Sequence, residues 1–310
     1  MMMRLKKYVW SLCAAAIVSS TACSKMDDQP FDTFDPSKAF RNLEDVNAGI
    51  NGAYEVMDYD LIANSAVVSD EVMLPNENRV SNTGLFRWQY TSSSETVTAP
   101  YGIYYKAIDR ANRVLMALEA VPELGKENPK LRDHYHGELL TLRAYAHLEL
   151  VRAFASGYTF QSMGVPYMLK SEVSSPSRLT VAQNLELVMT DLNEAISLID
   201  EEVKDPARLT KLAALAILAR TALYAEDWDR AVRFSEMLIN AVPLTGRADY
   251  ASLWTDEIDG EVIWKLKRVN PDESRLGAAF FRESGSVVLY APSLKLLQTF
   301  DVANDIRYAA

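Results

Sequence analysis

His134-x-His136-x-Glu138 is the tightest grouping of potential metal ligands in a chain that holds only three histidines. The run reads as helical, and side chains two positions apart on a helix face different ways, so one ion could not easily take both histidines. His147 follows Arg143 by one turn, which suits a packed or hydrogen-bonded side chain better than a free general base. The 42 acidic residues guarantee adjacent pairs such as Asp27-Asp28, Asp70-Glu71 and Glu201-Glu202. A glycosidase needs two carboxyl groups held about 5 to 9.5 Å apart across a cleft, whereas these pairs read as solvated. The sequence contains no GxSxG, GxGxxG, phosphate loop, HExxH or calcium-loop motif. No catalytic residue, metal ligand or cofactor is assigned, and the chain reads as a binding protein and not an enzyme.

Aromatic residues offer a different chemistry. Phe86-Arg-Trp-Gln-Tyr90 and Tyr101-Gly-Ile-Tyr-Tyr105 place rings beside hydrogen-bonding groups and next to an irregular stretch. Flat apolar rings stack on sugar faces or on peptide side chains, while nearby Arg, Asn and Gln give orientation. Trp88, Tyr90 and Tyr101 are the candidate ligand-binding residues; the competing reading has the same rings plugging the junction between loop and bundle. Trp254 and Trp264 lie in patterned segments and are expected in the core.

Cys23 carries a third kind of chemistry. Arg4, Lys6 and Lys7 precede an apolar run from Val9 to Val18, and Ser19-Ser20-Thr21-Ala22 leads to the cysteine. That is the layout of a secretory signal peptide over 1–22, and the run is too short to span a bilayer, which takes roughly 20 apolar residues. Small residues ending at a cysteine resemble the lipobox of bacterial lipoproteins, with Ser20 where leucine is usual. The resemblance implies acylation of Cys23 as the first mature residue, and several acyl chains anchor stably at about 0.8 kcal/mol per buried CH₂. Ordinary cleavage with an incidental cysteine is the alternative. Cys13 is removed with the leader, so no intramolecular disulfide is available. Three of the 32 basic residues and none of the acidic ones lie before Cys23, so the mature part is more acidic than the chain's net −10. This balance disfavours nucleic acid and anionic lipid as partners.

These groups need elements to hold them. Residues 23–38, acidic and punctuated by Pro30 and Pro36, read as a flexible leash; the run from Ser24 to Asp28 resembles the signal that sends such lipoproteins to the outer face of the outer membrane. The spacing of Leu43, Val46, Ile50 and Tyr54 predicts a helix over 39–58. The pattern over 60–100 weakens into loop with short extended pieces, where binding often resides. Helical repeats follow over 101–243. Ile103, Ala107, Ala111, Val114 and Leu118 mark one helix, and Leu139, Leu142, Ala146, Leu150 and Ala153 the next. Thr180-x-x-Gln183 is a capping box for a third, and Asp205-Pro206 is read as the start of a fourth, carrying Leu212, Leu215, Ala219 and Leu223. The stretch from Leu215 to Pro243 has the alanine spacing of a tetratricopeptide unit. From 244 the character changes: alternation over 261–267 predicts a short strand, and Pro292 opens a helix through Leu294, Leu297 and Phe300.

Several of these pieces together resemble the SusD/RagB family. They are the run from Leu142 to Phe154 with Gly164-Val165-Pro166-Tyr167, the run from Lys211 to Arg220 with Trp228 to Ala231, Glu261-Val-Ile-Trp264, and Asn304-Asp305-x-Arg307. The resemblance implies a mainly α, tetratricopeptide-like helical-repeat scaffold over 39–310, with irregular loops and a few short strands. It implies a non-enzymatic lipoprotein, lipid-anchored at the cell outer membrane and facing outward. Such a protein binds a nutrient, glycan or peptide, and delivers it to a SusC-like TonB-dependent transporter. The long connection between Phe154 and Pro166 resembles the RagB-like branch. Members normally continue beyond the Asn-Asp-x-Arg segment, which implies that 244–310 is the start of a longer C-terminal region. The other reading of the residues is a structural or adaptor lipoprotein holding another envelope protein through its repeats.

Overall fold

The computed structural model describes residues 36–78, 83–121, 123–267, 276–282 and 286–309. The leader, Cys23 and nearly all of the leash lie outside the described residues. Seven longer helices form the body: α1 Leu43–Glu55, α2 Asp60–Val68, α3 Glu95–Ala120, α4 Pro129–Phe154, α5 Val181–Leu198, α6 Lys211–Tyr224 and α7 Trp228–Ala241. From α3 to α7 each packs on the next, and α1 closes the other side against α3 and α4. This is a mainly α fold with repeat-like sequential packing. The strands are two-residue pieces, β1 Val72–Met73 with β4 Ala291–Pro292 and β2 Phe281–Arg282 with β3 Val287–Val288, both pairs antiparallel.

One core runs through the helices, from Val46 and Ile50 through Leu118, Leu142 and Leu150 to Leu192 and Leu218. Helix α4 lies at its centre and buries even its polar residues. The Arg143 guanidinium donates to both oxygens of Asp191 on α5 at 2.7 and 2.8 Å, and to Asn112 Oδ1 on α3 at 3.0 Å. One arginine therefore ties three helices. Breaking a buried pair of this kind costs roughly 3–5 kcal/mol, because the remaining charge is left without a partner. Gly137 lets α4 and α5 approach closely: a Cβ there would stand 2.7 Å from Ile199 and 2.9 Å from the Ala195 carbonyl oxygen.

Local signals explain most helix starts. The Asn42 side chain caps α1 by accepting from the Asp45 amide at 2.8 Å, and Thr180 and Gln183 form the expected reciprocal box at α5. Four expectations are corrected. Residues 60–68 and 95–100 are helical, not loop, and Pro100 sits inside α3. Proline has no amide to donate to the Thr96 carbonyl, and Asn64 Nδ2 donates to that oxygen at 2.8 Å instead. Asp205-Pro206 does not open α6. Asp205 makes a turn by accepting the Ala207 amide, and the helix begins at Lys211 behind a Thr210 cap. The cause is a buried network: Arg208 donates to Glu138, whose other oxygen accepts from Tyr54, and Tyr54 Oη accepts the Leu209 amide at 2.8 Å. Residues 261–266 are half-buried throughout and form no strand; the Lys265 amide donates to the Pro206 carbonyl. Finally, Pro292 belongs to β4, and the helix after it covers only Leu294–Leu297 behind a Ser293 cap.

Candidate functional site

Residues 70–78 and 83–90 are clasped with 276–282 and 286–297, far apart in sequence, into one irregular face. The Ser293 amide donates to the Glu71 carbonyl, Asn78 Nδ2 donates to the Leu289 carbonyl at 2.8 Å, and Lys295 pairs with Asp70. Beneath them Val67, Leu85, Leu289 and Tyr290 form a small buried cluster, with Phe86 6.1 Å from Tyr290 ring to ring. The helical turn Thr83–Phe86 rests on this cluster and ends in a Schellman arrangement. The Gln89 amide donates to the Gly84 carbonyl at 2.7 Å and the Trp88 amide to the Leu85 carbonyl at 3.0 Å. The position between them takes a left-handed backbone and is usually glycine. Here it is Trp88, with φ 58° and a side chain 70% exposed. A bulky residue there costs roughly 1–2 kcal/mol, and an exposed ring recovers little of that by burial. Tyr90 follows, also exposed. Tyr101 stands on α3, its ring 4.8 Å from Tyr105 and edge-on to Phe154 at 5.1 Å.

A second place is a cavity of about 1090 Å³ between α2, α4, α6 and the 253–266 segment. At α4 and α6, Glu149 is buried and accepts from Arg152 through both oxygens at 2.7 Å, while Arg220 approaches it only to 3.7 Å. Burial pushes the Tyr145 hydroxyl up to about 12, so it stays neutral. Trp264 meets Tyr145 edge-on at 4.9 Å, and its indole N–H is buried with no partner among the described residues. Trp254, expected in the core, is 74% exposed and borders this cavity. It belongs to a five-residue helix, Tyr250–Trp254, that buries none of its residues, so its periodicity reflects no packed face. Sequence reasoning missed the cavity because its walls come from five separated stretches of the chain.

His147 and His134 are buried in the helical body. His147 is fully buried, stacked on Tyr167 at 3.7 Å; its Nδ1 lies 2.9 Å from the Arg143 carbonyl oxygen, and its Nε2 accepts the Met168 amide at 3.0 Å. Burial lowers it to about 3. His134 lies 3.9 Å from Glu138, and burial lowers both it and His136. Among the described residues no three His, Cys, Asp or Glu side chains converge as a metal site.

A family profile described as SusD-like, starch-binding and associating with the outer membrane matches residues 26–223. Among solved structures, a putative sugar binding protein from Bacteroides vulgatus superposes with a TM-score of 0.75 at 19% identity, over 87% of this chain and 64% of that one. A SusD superfamily protein from Bacteroides thetaiotaomicron gives 0.76 at 21%, over 86% and 63%. Surface glycan-binding protein A from the same species, solved with laminarihexaose, gives 0.66 at 16%, over 87% and 63%. At such identities the likeness is one of fold. The chain spans just under two thirds of the length of these three structures. No curated protein matches it.

Proposed function

Because the chain belongs to the SusD-like family of starch-binding proteins that associate with the outer membrane, we propose that it captures a nutrient for a SusC-like TonB-dependent transporter. It does so as a surface lipoprotein held through acylated Cys23. The ligand is a glycan, with a peptide as the alternative class, and the long Phe154-to-Pro166 connection supports a RagB-like member of the family. Trp88, Tyr90 and Tyr101 supply the stacking surfaces. The observation that supports this most is Trp88 itself, a large exposed ring at a left-handed cap that glycine would fill at lower cost. Stacking needs a ring face open to the ligand, and the exposure of Trp88 supports that role.

Titration calorimetry of residues 24–310 against a panel of glycans and peptides, with Trp88→Ala beside wild type, tests the reading. Saturable binding that weakens at least tenfold in the variant is expected. Equal affinity of the two proteins would remove Trp88 from the site. The adaptor reading is favoured by one feature, the solvent-facing Trp228, Val232 and Ile239 on α7. It predicts that the folded protein binds none of the glycans or peptides of the panel.

A further inference from the structure

The cavity between the helical repeats and the 253–266 segment shares only Leu276 with the segments that build the Trp88 face, and its chemistry can be read separately. Its volume lies just above the range for pockets that enclose small molecules, roughly 300–1,000 Å³. On the α6 side Ala213, Ala216 and Ile217 give it an apolar lining, and Trp254, a ring that is three-quarters exposed, lines it as well. The polar lining is mixed. Arg152 is spent on Glu149 and on the Tyr224 hydroxyl, and Lys265 is spent on Asp256 and Asp259. Arg220 keeps only its 3.7 Å approach to Glu149 and is half exposed, so its donors are open. Asp58 and Glu261 each accept one backbone amide, from Asp60 and Thr245, and a carboxylate accepts more than one hydrogen bond.

We propose that this cavity is a second binding site, for an uncharged oligosaccharide that stacks on Trp254, accepts hydrogen bonds from Arg220 and donates hydroxyls to Asp58 and Glu261. A sugar hydroxyl both donates and accepts, and a pyranose has an apolar face, so the ligand matches flat ring, donor and acceptors together. Charge disfavours an acidic saccharide. Four carboxylates, Asp58, Glu149, Asp256 and Glu261, line the cavity against Arg152, Arg220 and Lys265, within a chain of net −10. With the Trp88 face, the site gives one chain two holds on a polymer, and two linked contacts retain it far longer than either alone.

Calorimetry of residues 24–310 with maltohexaose, laminarihexaose, cellohexaose and, as the acidic counterpart, hexagalacturonate tests this. Wild type is expected to bind at least one neutral hexaose, with a component that Trp254→Ala and Arg220→Ala each weaken at least tenfold and that survives Trp88→Ala. Both substituted side chains are solvent-exposed, and unchanged circular dichroism spectra check that the variants fold. Loss of all binding in Trp88→Ala, equal affinity of the cavity variants and wild type, tighter binding of hexagalacturonate, or binding of none of the four overturns the proposal. Loss in the cavity variants with full retention in Trp88→Ala supports the cavity and removes the Trp88 face instead, so the two readings fail separately.

Discussion

His147 can serve its neighbours in only one form. The Arg143 carbonyl oxygen needs a proton on Nδ1 and the Met168 amide needs a lone pair on Nε2, so the ring must be neutral. Burial holds its pKa at about 3, against 6.5 for a free histidine. Below pH 6.5 the unfolded chain takes up a proton that the folded chain refuses. This part of the stability is complete above pH 6.5 and is lost as pH falls towards 3, at up to about 1.4 kcal/mol per unit. His147→Asn should lower stability at pH 7 but flatten the acid limb; urea midpoints from pH 7 to 4 measure both, and parallel curves would refute the assignment. Trp88 presents the opposite case, a residue whose backbone costs stability. Trp88→Gly is expected to raise stability by about 1 kcal/mol while removing ligand binding. Glu226, also left-handed at φ 54°, is the control: Glu226→Gly should stabilise similarly and leave binding intact. A destabilised Trp88→Gly would mean that the ring packs on the protein and is not held out for a ligand.

Among the elements, α3 depends on a partner outside itself. Pro100 leaves the Thr96 carbonyl without an amide, and Asn64 from α2 supplies the donor. Asn64→Ala should cost about 1–2 kcal/mol. In the Pro100→Ala background, where the helix regains its own amide, it should cost clearly less; additive effects in that double-mutant cycle would refute the coupling. This pair also shows what the sequence could and could not reveal. The α5 capping box was legible because Thr180 and Gln183 are three residues apart. Asn64 and Thr96 are separated by 32 positions, so Pro100 read as the end of a loop and not as the interior of a helix. Asp205-Pro206 carries every local mark of a helix start, yet Glu138, 70 residues from Arg208, holds that stretch out of the helix. Trp88, Tyr90 and Tyr101 were visible as rings near irregular chain. That Trp254 borders a cavity depends on distant contacts that periodicity does not carry, and the cap at Trp88 is local but lacks the glycine that would mark it.

At the scale of the whole molecule, stability and the proposed ligand face are carried by different parts of the chain. The main core draws its residues from Phe40 to Leu266, a contiguous stretch whose helices each pack on their neighbours. The Trp88 face instead rests on four buried residues, of which Leu289 and Tyr290 come from the last part of the chain. That part also gives β1 its only partner among the described strands, and it supplies the contacts to Asp70, Glu71 and Asn78. Burying a leucine or an aromatic ring is worth roughly 1.5–3 kcal/mol each, so removing the clasp withdraws several kcal/mol from the loop and almost nothing from the helices. A chain stopping at Lys267 should therefore keep its helical circular dichroism and a cooperative melt close to that of the longer chain. Residues 70–90 should become sensitive to protease, and ligand binding that depends on Trp88 should disappear. Binding at the cavity between α4 and α6 should weaken less, because of its lining residues only Leu276 lies beyond the cut. Unchanged protection of residues 70–90 in the shortened chain would show that the loop holds itself. In that case the left-handed cap at Trp88 would be stabilised by the Thr83–Phe86 turn alone.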